Sequence, residues 1–423
     1  MKIQRYLAPT AALVSWADMF RGCLGLVWGR RYRAKLEAEL KEYFGVKHVF
    51  LFSSGKVALA TTIRALSVTS SRRKVLIPAY TCFTVPSAVI RGGGQVALCD
   101  VDPRTLDFVF DDLKRALDRE TLCVVVPHLL GRQANLQRVK DIAAAHGVAV
   151  VEDAAQAMGV KDGEHFLGTQ GDVGFFSLGR GKNVSAGSGG VLLTQSEKIA
   201  EAVKAVIREM PEPSLMQRVR NLATMVAMKL LIHPRLYWLP AGLSFLGLGE
   251  TRFDLDFPMQ RLDGARAGLL QTWRQRLMRS NEQRASKGQA YESALSPATR
   301  MLDPERSQAS TWLRFPLVLP KAAQKSAVCS QAAYKRLGVS GLYPSAISEI
   351  PQLQSAFEGR RFPGAKALAE RLITFPVHHY VEPRDIQALC RVLDNMMKSG
   401  TPAVQSQAME TQTMGRRSSL VRL

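Results

Sequence analysis

Short apolar runs alternate with amphipathic stretches through the first half of the chain, and this alternation sets the expected architecture. From Ala34 to Phe44 the spacing of apolar residues is that of an amphipathic helix, which Gly45 closes. The segment HVFLFSSG (48–55) then reads as a strand running into a turn, and KVALATTIRAL (56–66) as the following helix. The unit recurs, with strands expected at KVLIPA (74–79), QVALCDVD (95–102), LCVVVPH (122–128), VAVVED (148–153), VGFFSLG (173–179) and GGVLLT (189–194). Helical patterns at 110–118, 135–146 and 196–210 complete the alternation. Apolar strands of this kind are buried on both faces, so the pattern predicts an α/β protein with a mainly parallel sheet. Functional groups in such sheets gather at the carboxyl ends of strands. Ser53, Ser54, Gly55, His128 and Asp153 all fall there.

Two regions break the pattern. Residues 211–250 are apolar and helix-rich, with Lys229, His233 and Arg235 interspersed. They read as a helical hairpin packed on the core or on a partner subunit, with an interfacial membrane helix as the alternative. Residues 401–423, rich in Ser, Thr, Gln and Arg, read as a disordered tail.

Composition narrows the class. At 423 residues the chain exceeds what one hydrophobic core usually serves, so more than one domain is expected. Its six cysteines are scattered without a C-x-x-C pair, which fits reduced thiols and argues against disulfides or a zinc site. The apolar stretch 11–28 is interrupted by Asp18 and Arg21, which speaks against a secretory signal or a spanning helix and for a cytoplasmic chain. The net charge of +21 implies an anionic partner such as a phosphorylated substrate or a membrane surface. Its basic residues are dispersed and carry no zinc-finger, RRM or KH pattern, so nucleic acid is not expected.

The candidate chemistry centres on GRGKNVSAGSGG (179–190), where Lys182 stands alone among glycines and small polar residues. A phosphate-binding P-loop would need a glycine at Phe176 and a hydroxyl at Asn183, so that reading fails and a solvated turn is the bland one. Asp153 ends a strand, Gln156 follows three residues later, and Lys182 stands 29 residues beyond Asp153. A lysine on a glycine-rich turn, facing a carboxylate at a neighbouring strand end, suits pyridoxal phosphate chemistry. The amine forms a Schiff base with the cofactor aldehyde and moves protons, while the carboxylate keeps the pyridine nitrogen protonated. For the cofactor phosphate, SSGKVALATT offers two serines, a glycine and a helix start, and Ser177 adds a hydroxyl. His128, at a strand end before LLG, reads as structural, with contact to substrate as the alternative.

These residues resemble a known family. VEDAAQAMG together with GDVGFFSLGRGKNVSAGSGGVLLT is similar to the DegT/StrS sugar aminotransferases, with further similar stretches over about residues 33–400. The resemblance implies the PLP-dependent transferase fold of type I. A large domain (33–265, containing the insertion) would follow an N-terminal arm (1–32), and a smaller α+β domain (266–400) would precede the tail. It also implies pyridoxal 5'-phosphate as cofactor, glutamate as amino donor, a nucleotide-linked keto sugar as acceptor, and a homodimer with shared active sites. Residue by residue, Lys182 matches the Schiff-base lysine, Asp153 the partner of the pyridine nitrogen, and Gln156 the residue near the ring hydroxyl. Gly55, Lys56 and Ser177 match the phosphate cradle, beside which Ser54 offers its hydroxyl from the same turn.

The departures bear on the substrate. Lys56 replaces a family threonine, exchanging a hydroxyl for a charge. Cys82 stands where many members carry a ring-stacking aromatic, which shifts that task to Phe83 or Tyr80. Asp256 stands in place of the neighbouring-subunit asparagine, and LYPSAISEIP (342–351) lacks the histidine that often follows Tyr-Pro. Related dehydratases carry histidine at the lysine position, so Lys182 favours amino transfer. A non-catalytic regulator or membrane-associated assembly partner is the competing class, and an enzyme at the inner membrane face is a variant of the first.

Overall fold

The computed structural model describes residues 5–243, 251–295, 302 and 311–399. The end of the expected insertion (244–250) and the expected tail (401–423) lie outside the described residues.

Seven strands form the main sheet: β1 (His48–Phe52), β2 (Lys74–Pro78), β3 (Gln95–Cys99), β4 (Thr121–Pro127), β5 (Ala149–Asp153), then β8 (Val173–Ser177) and β9 (Gly190–Thr194). Between β5 and β8 lies a small hairpin of β6 (Lys161–Asp162) and β7 (His165–Phe166). The order across the sheet is β1-β9-β8-β5-β4-β2-β3. Strand β9 pairs antiparallel with both β1 and β8, while β8, β5, β4, β2 and β3 pair in parallel. The central strands are buried along nearly their whole length, as their unbroken Val-rich runs require. Parallel neighbours bring their carboxyl ends to one edge, so Pro127, Asp153 and Phe175 stand in register there.

A second sheet pairs β10 (Phe315–Val318) antiparallel with β11 (Leu372–Phe375). Helices Ala322–Ser330, Pro363–Arg371 and Pro383–Ser399 accompany it. Val318, Tyr343 and Leu372 share a core with Val75, Ile77 and Val125 of the main sheet, so the C-terminal segment closes onto the first layer.

The first helix is much longer than its apolar spacing suggests. It runs Trp16–Phe44, with only Trp28 departing from helical angles, and ends on Gly45 at φ +63°. The expected non-helical arm therefore shrinks to the residues before Ser15. Ser15 and Asp18 form a reciprocal capping box, and the buried Asp18 also accepts from Thr272 at 2.5 Å. Asp18 is thus an anchor as well as an interruption of an apolar run. Small residues explain the early half of this helix: a Cβ on Gly25 would lie 2.1 Å from the Gly264 carbonyl oxygen, and one on Gly29 2.6 Å from Gly264 Cα. Helix Gly264–Leu269 is seated in that groove.

The insertion is helical, with helices Leu215–Leu231 and Trp238–Ala241. Leu222 of the longer one packs on Gly22 of the first helix. Among the described residues no helix is long and apolar enough to cross a membrane.

Filling the glycine groove should be costly because backbone, not a flexible side chain, occupies the space. Gly25→Leu is expected to lower stability by about 1–3 kcal/mol or more, read as a fall in thermal midpoint, whereas Glu42→Ala on the exposed face of the same helix should leave it nearly unchanged.

Candidate active site

Three chain segments converge at the carboxyl edge of the main sheet around a cavity of about 880 Å³. The first is the turn into helix Gly55–Val68, where Ser54 caps the helix by accepting from the Val57 N–H at 3.3 Å. A Cβ on Gly55 would come within 3.0 Å of the Ser177 Cβ, so glycine lets the helix start approach the end of β8. The second is the turn 179–187 after β8. Gly181 adopts φ +69°, and a Cβ there would meet Thr10 Oγ1 at 2.0 Å. Only glycine satisfies both conditions. The third is the edge after β5, carrying Asp153 and Gln156.

Lys182 therefore opens into the cavity, and among the described residues its amine has no hydrogen-bond partner. Burial pushes this amine down; Cys82 and Asp153 act upward and Arg284 downward. Asp153 has the converse problem. Burial pushes its carboxyl up, and the Ala155 N–H, donating to Oδ1 at 3.0 Å, offsets this only in part along with Lys182 and His128.

His128 is fully buried with both ring nitrogens engaged. Nδ1 accepts from the Ala134 N–H at 3.2 Å, which leaves Nε2–H to donate to Glu152 at 3.0 Å. Glu152 also accepts from the Gly168 and Gln170 N–H groups. Burial raises the Glu152 carboxyl, but His128 and the Gly168 and Gly171 N–H groups outweigh it and hold it below its ordinary value. The pair fixes the β4–β5 edge from which Asp153 projects.

Of the residues expected from the sequence, Ser54, Gly55, Lys56, Cys82, Asp153, Gln156, Ser177 and Lys182 all line the cavity. Phe83 and Asp256 are not among the residues that line it. Phe83 is packed in the core with its N–H donating to Thr251, and Tyr80 is equally buried, so neither ring faces the cavity. Asp256 is exposed. The carboxylate that does reach the cavity is Asp254, which pairs with Lys56 at 3.2 Å while the Lys56 amine also lies 4.2 Å from the Phe257 ring centre.

Several lining residues carried no recognisable signal in the sequence. Residues 9–14 form one wall, and helix Leu215–Leu231 contributes Met225 and Met228 to another. Tyr343, noted only for the histidine missing nearby, accepts from Gln156 Nε2 at 2.9 Å. Gln156 Oε1 meanwhile accepts from the Leu130 N–H at 3.0 Å, so the amide is held at both ends.

A model of the DegT/DnrJ/EryC1/StrS aminotransferase family matches residues 26–394, most of the chain. The chain belongs to this family. Among its relatives, GDP-perosamine synthase of Vibrio cholerae is 29% identical over 171 residues, 40% of this chain and 46% of the relative. A UDP-N-acetyl-3-dehydro-alpha-D-glucosamine 3-aminotransferase of Acidithiobacillus ferrooxidans is 31% identical over 181 residues, 43% of this chain and 48% of the relative. The chain thus spans about half the length of these relatives. Solved structures extend the likeness of fold to nearly the whole chain. DesI, solved with its TDP-sugar product, has a TM-score of 0.73 at 17% identity and covers 97% of this chain and 96% of its own. The E. coli GDP-4-keto-6-deoxy-D-mannose-3-dehydratase with bound hydrated PLP has a TM-score of 0.71 at 18% identity, covering 92% and 100%.

The Glu152 network makes stability depend on acid. Its folded value lies below the ordinary 4.5, so its contribution is complete above about pH 4.5 and is lost as pH falls through the lowered folded value. Glu152→Gln should be less stable than wild type by about 1–3 kcal/mol at pH 7, with the gap closing between pH 5 and 3 in urea unfolding.

Proposed function

We propose that this chain is a pyridoxal 5'-phosphate-dependent aminotransferase that moves an amino group from glutamate to the keto group of a nucleotide-linked sugar. The observation that carries this reading is the free amine of Lys182, set in one cavity with the under-partnered carboxylate of Asp153 and the start of helix Gly55–Val68. Membership of an aminotransferase family and relatives named for GDP- and UDP-linked sugars support it.

The residues fit the cofactor. The opening N–H groups of helix Gly55–Val68, with the Ser54 and Ser177 hydroxyls beside them, form a phosphate cradle whose close approach depends on Gly55. Asp153 would hold the protonated ring nitrogen, and this contact would restore the charged form that burial disfavours. Gln156, clamped between Leu130 and Tyr343, would present its amide to the ring's edge. When bound, the cofactor supplies an aldehyde that condenses with amines and a ring that takes up the electron pair left when a C–H bond breaks.

The chain's own residues do the proton work. Burial keeps a larger share of Lys182 neutral than a surface lysine would be, which makes Nζ both a nucleophile and a base. Nζ takes the proton from the donor's amine-bearing carbon and, in the second half of the cycle, returns one to the acceptor carbon. Segment 9–14 and helix Leu215–Leu231 exclude bulk water from this step. Lys56 is neutralised by Asp254, so it adjusts the cradle's field without adding a full free charge.

The active unit is a homodimer in this reading. Trp16, Phe20, Val27 and Trp28, 52–80% exposed along one helix, call for a covering surface. Peripheral attachment to the inner membrane face is the second reading, favoured by exposed Met216, Val219 and Trp238 beside Arg220 and Arg235. Flotation with anionic liposomes separates the two: a protein that sediments as a dimer and does not float rules out the membrane.

Borohydride reduction of the protein loaded with cofactor, followed by peptide mapping, should place the reduced adduct on Lys182 and nowhere in Lys182→Ala. A label elsewhere, or none from folded protein, overturns the assignment. With nucleotide keto sugars and glutamate, wild type should release 2-oxoglutarate; a loaded protein whose cofactor spectrum glutamate leaves unchanged would instead be a regulator.

A further inference from the structure

A lysine in the first turn of a helix stands where the helix dipole disfavours a cation. Lys56 is such a residue: it is the second of helix Gly55–Val68, whose first turn holds no acidic side chain. Its counter-charge comes from a segment 198 positions away in the chain. Asp254 Oδ2 lies 3.2 Å from the Lys56 amine, which also stands over the Phe257 ring. Asp254 is fixed in that place. Its N–H donates to Ser87 Oγ at 3.0 Å, and its Oδ1 accepts from the Asp256 N–H at 2.9 Å. The buried Ser87 hydroxyl in turn donates to the Phe83 carbonyl at 2.9 Å, and Thr251 Oγ1 accepts from the Phe83 N–H at 3.1 Å. The segment is thus tied twice to the start of helix Thr84–Arg91.

Among the described residues two carboxylates line the cavity, Asp153 and Asp254. Lys182 acts on the first and Lys56 on the second. Burial raises the Asp254 carboxyl, but Lys56 and the Asp256 N–H outweigh it and hold it below its ordinary value, so it is ionised at physiological pH. A cradle for a phosphate therefore contains a fixed negative charge, placed on the one amine that would add to its pull. The Asp254 side chain is 45% exposed, so solvent screens that charge in part without removing it.

The arrangement acts most on one form of the cofactor. While the cofactor is an aldehyde, its bond to Lys182 retains it whatever the strength of the cradle. The amine form has no carbonyl for Lys182 to condense with, and its retention rests on non-covalent contacts, among which charged ones to the phosphate are the strongest. We propose that Asp254 weakens the cradle's hold on the cofactor phosphate by drawing on the Lys56 amine, so that this chain releases the amine form of its cofactor more readily than a cradle with Lys56 alone. The proposal rests on the aminotransferase reading of this site. A merely structural pair predicts the opposite, because loss of Asp254 would then misplace the Lys56 amine and binding would fall.

Pyridoxamine 5'-phosphate is the probe, since its amine cannot condense with Lys182 and its affinity reads the non-covalent contacts alone. In calorimetric titrations of the full chain freed of cofactor, Asp254→Asn and Asp254→Ser should each bind it about 5- to 30-fold more tightly than wild type. Lys56→Met should bind it about fivefold more weakly or worse, and the double variant Lys56→Met/Asp254→Asn should fall between the two single ones. Pyridoxamine, which lacks the phosphate, should not distinguish the variants. Thermal midpoints show which variants are folded, and the serine replacement keeps the comparison open where the asparagine one is not. Unchanged or weakened probe binding in the folded Asp254 variants, tighter binding by Lys56→Met, or an equal gain with pyridoxamine each overturns the proposal. Borohydride labelling of Lys182 by pyridoxal 5'-phosphate is read on the same preparations. Labelling with unaltered probe affinity removes the role of Asp254 alone, while a wild type that neither labels nor binds the probe sinks the aminotransferase reading itself.

Discussion

The site depends on one buried guanidinium. Arg284 lies on helix Trp273–Ala294 and donates to backbone carbonyls from three distant parts of the chain, Ala11, Gly181 and Leu313. Burial pulls it down to about 10, which leaves it charged at any physiological pH. Charge-assisted bonds to carbonyls are stronger than neutral ones, and in a site shielded from water they hold three loops in one arrangement. That hub ties the N-terminal wall, the lysine turn and the entry to β10 to one another, beside the separate bonds each makes elsewhere: Lys229 to the Val14 carbonyl, Arg276 to the Ser185 carbonyl and the Leu313 N–H to the Leu130 carbonyl.

The alternating layers were legible because they rest on local rules. Val-rich runs such as LCVVVPH can only be strands buried on both faces, and each expected strand of the main sheet is present with its ends shifted by a few residues. The lysine turn was legible for a related reason: a single lysine among five glycines stands out in the sequence, and Gly181 is needed both for its angle and for its close approach to Thr10. Asp153 followed from its place at a strand end, whereas the roles expected of Gln156 and Ser177 came chiefly from the family resemblance of the stretches that carry them. The first helix was read too short because its buried stripe is made of glycines, which score as helix breakers and here serve as a groove for Gly264.

What stayed hidden is set by distance along the chain. Nothing in the pattern of residues 9–14 says that they turn back to a lysine more than 160 residues later, and Arg284 and Arg314 look like ordinary surface arginines until their burial is known. Phe83 illustrates the opposite error. Its aromatic character beside Cys82 suggested a ring for stacking, yet the helix beginning at Thr84 turns it into the core. Adjacency in sequence gave no information on direction.

The wall built by residues 9–14 has a mechanical side. Its Ala11 carbonyl and the Gly181 carbonyl of the lysine turn are held by the same guanidinium, and Thr10 rests on Gly181 itself, so a ligand that presses on this wall also loads the turn that carries the amine. Occupancy of the cavity and the placement of its reactive nitrogen are thereby linked through backbone that lies at opposite ends of the sequence.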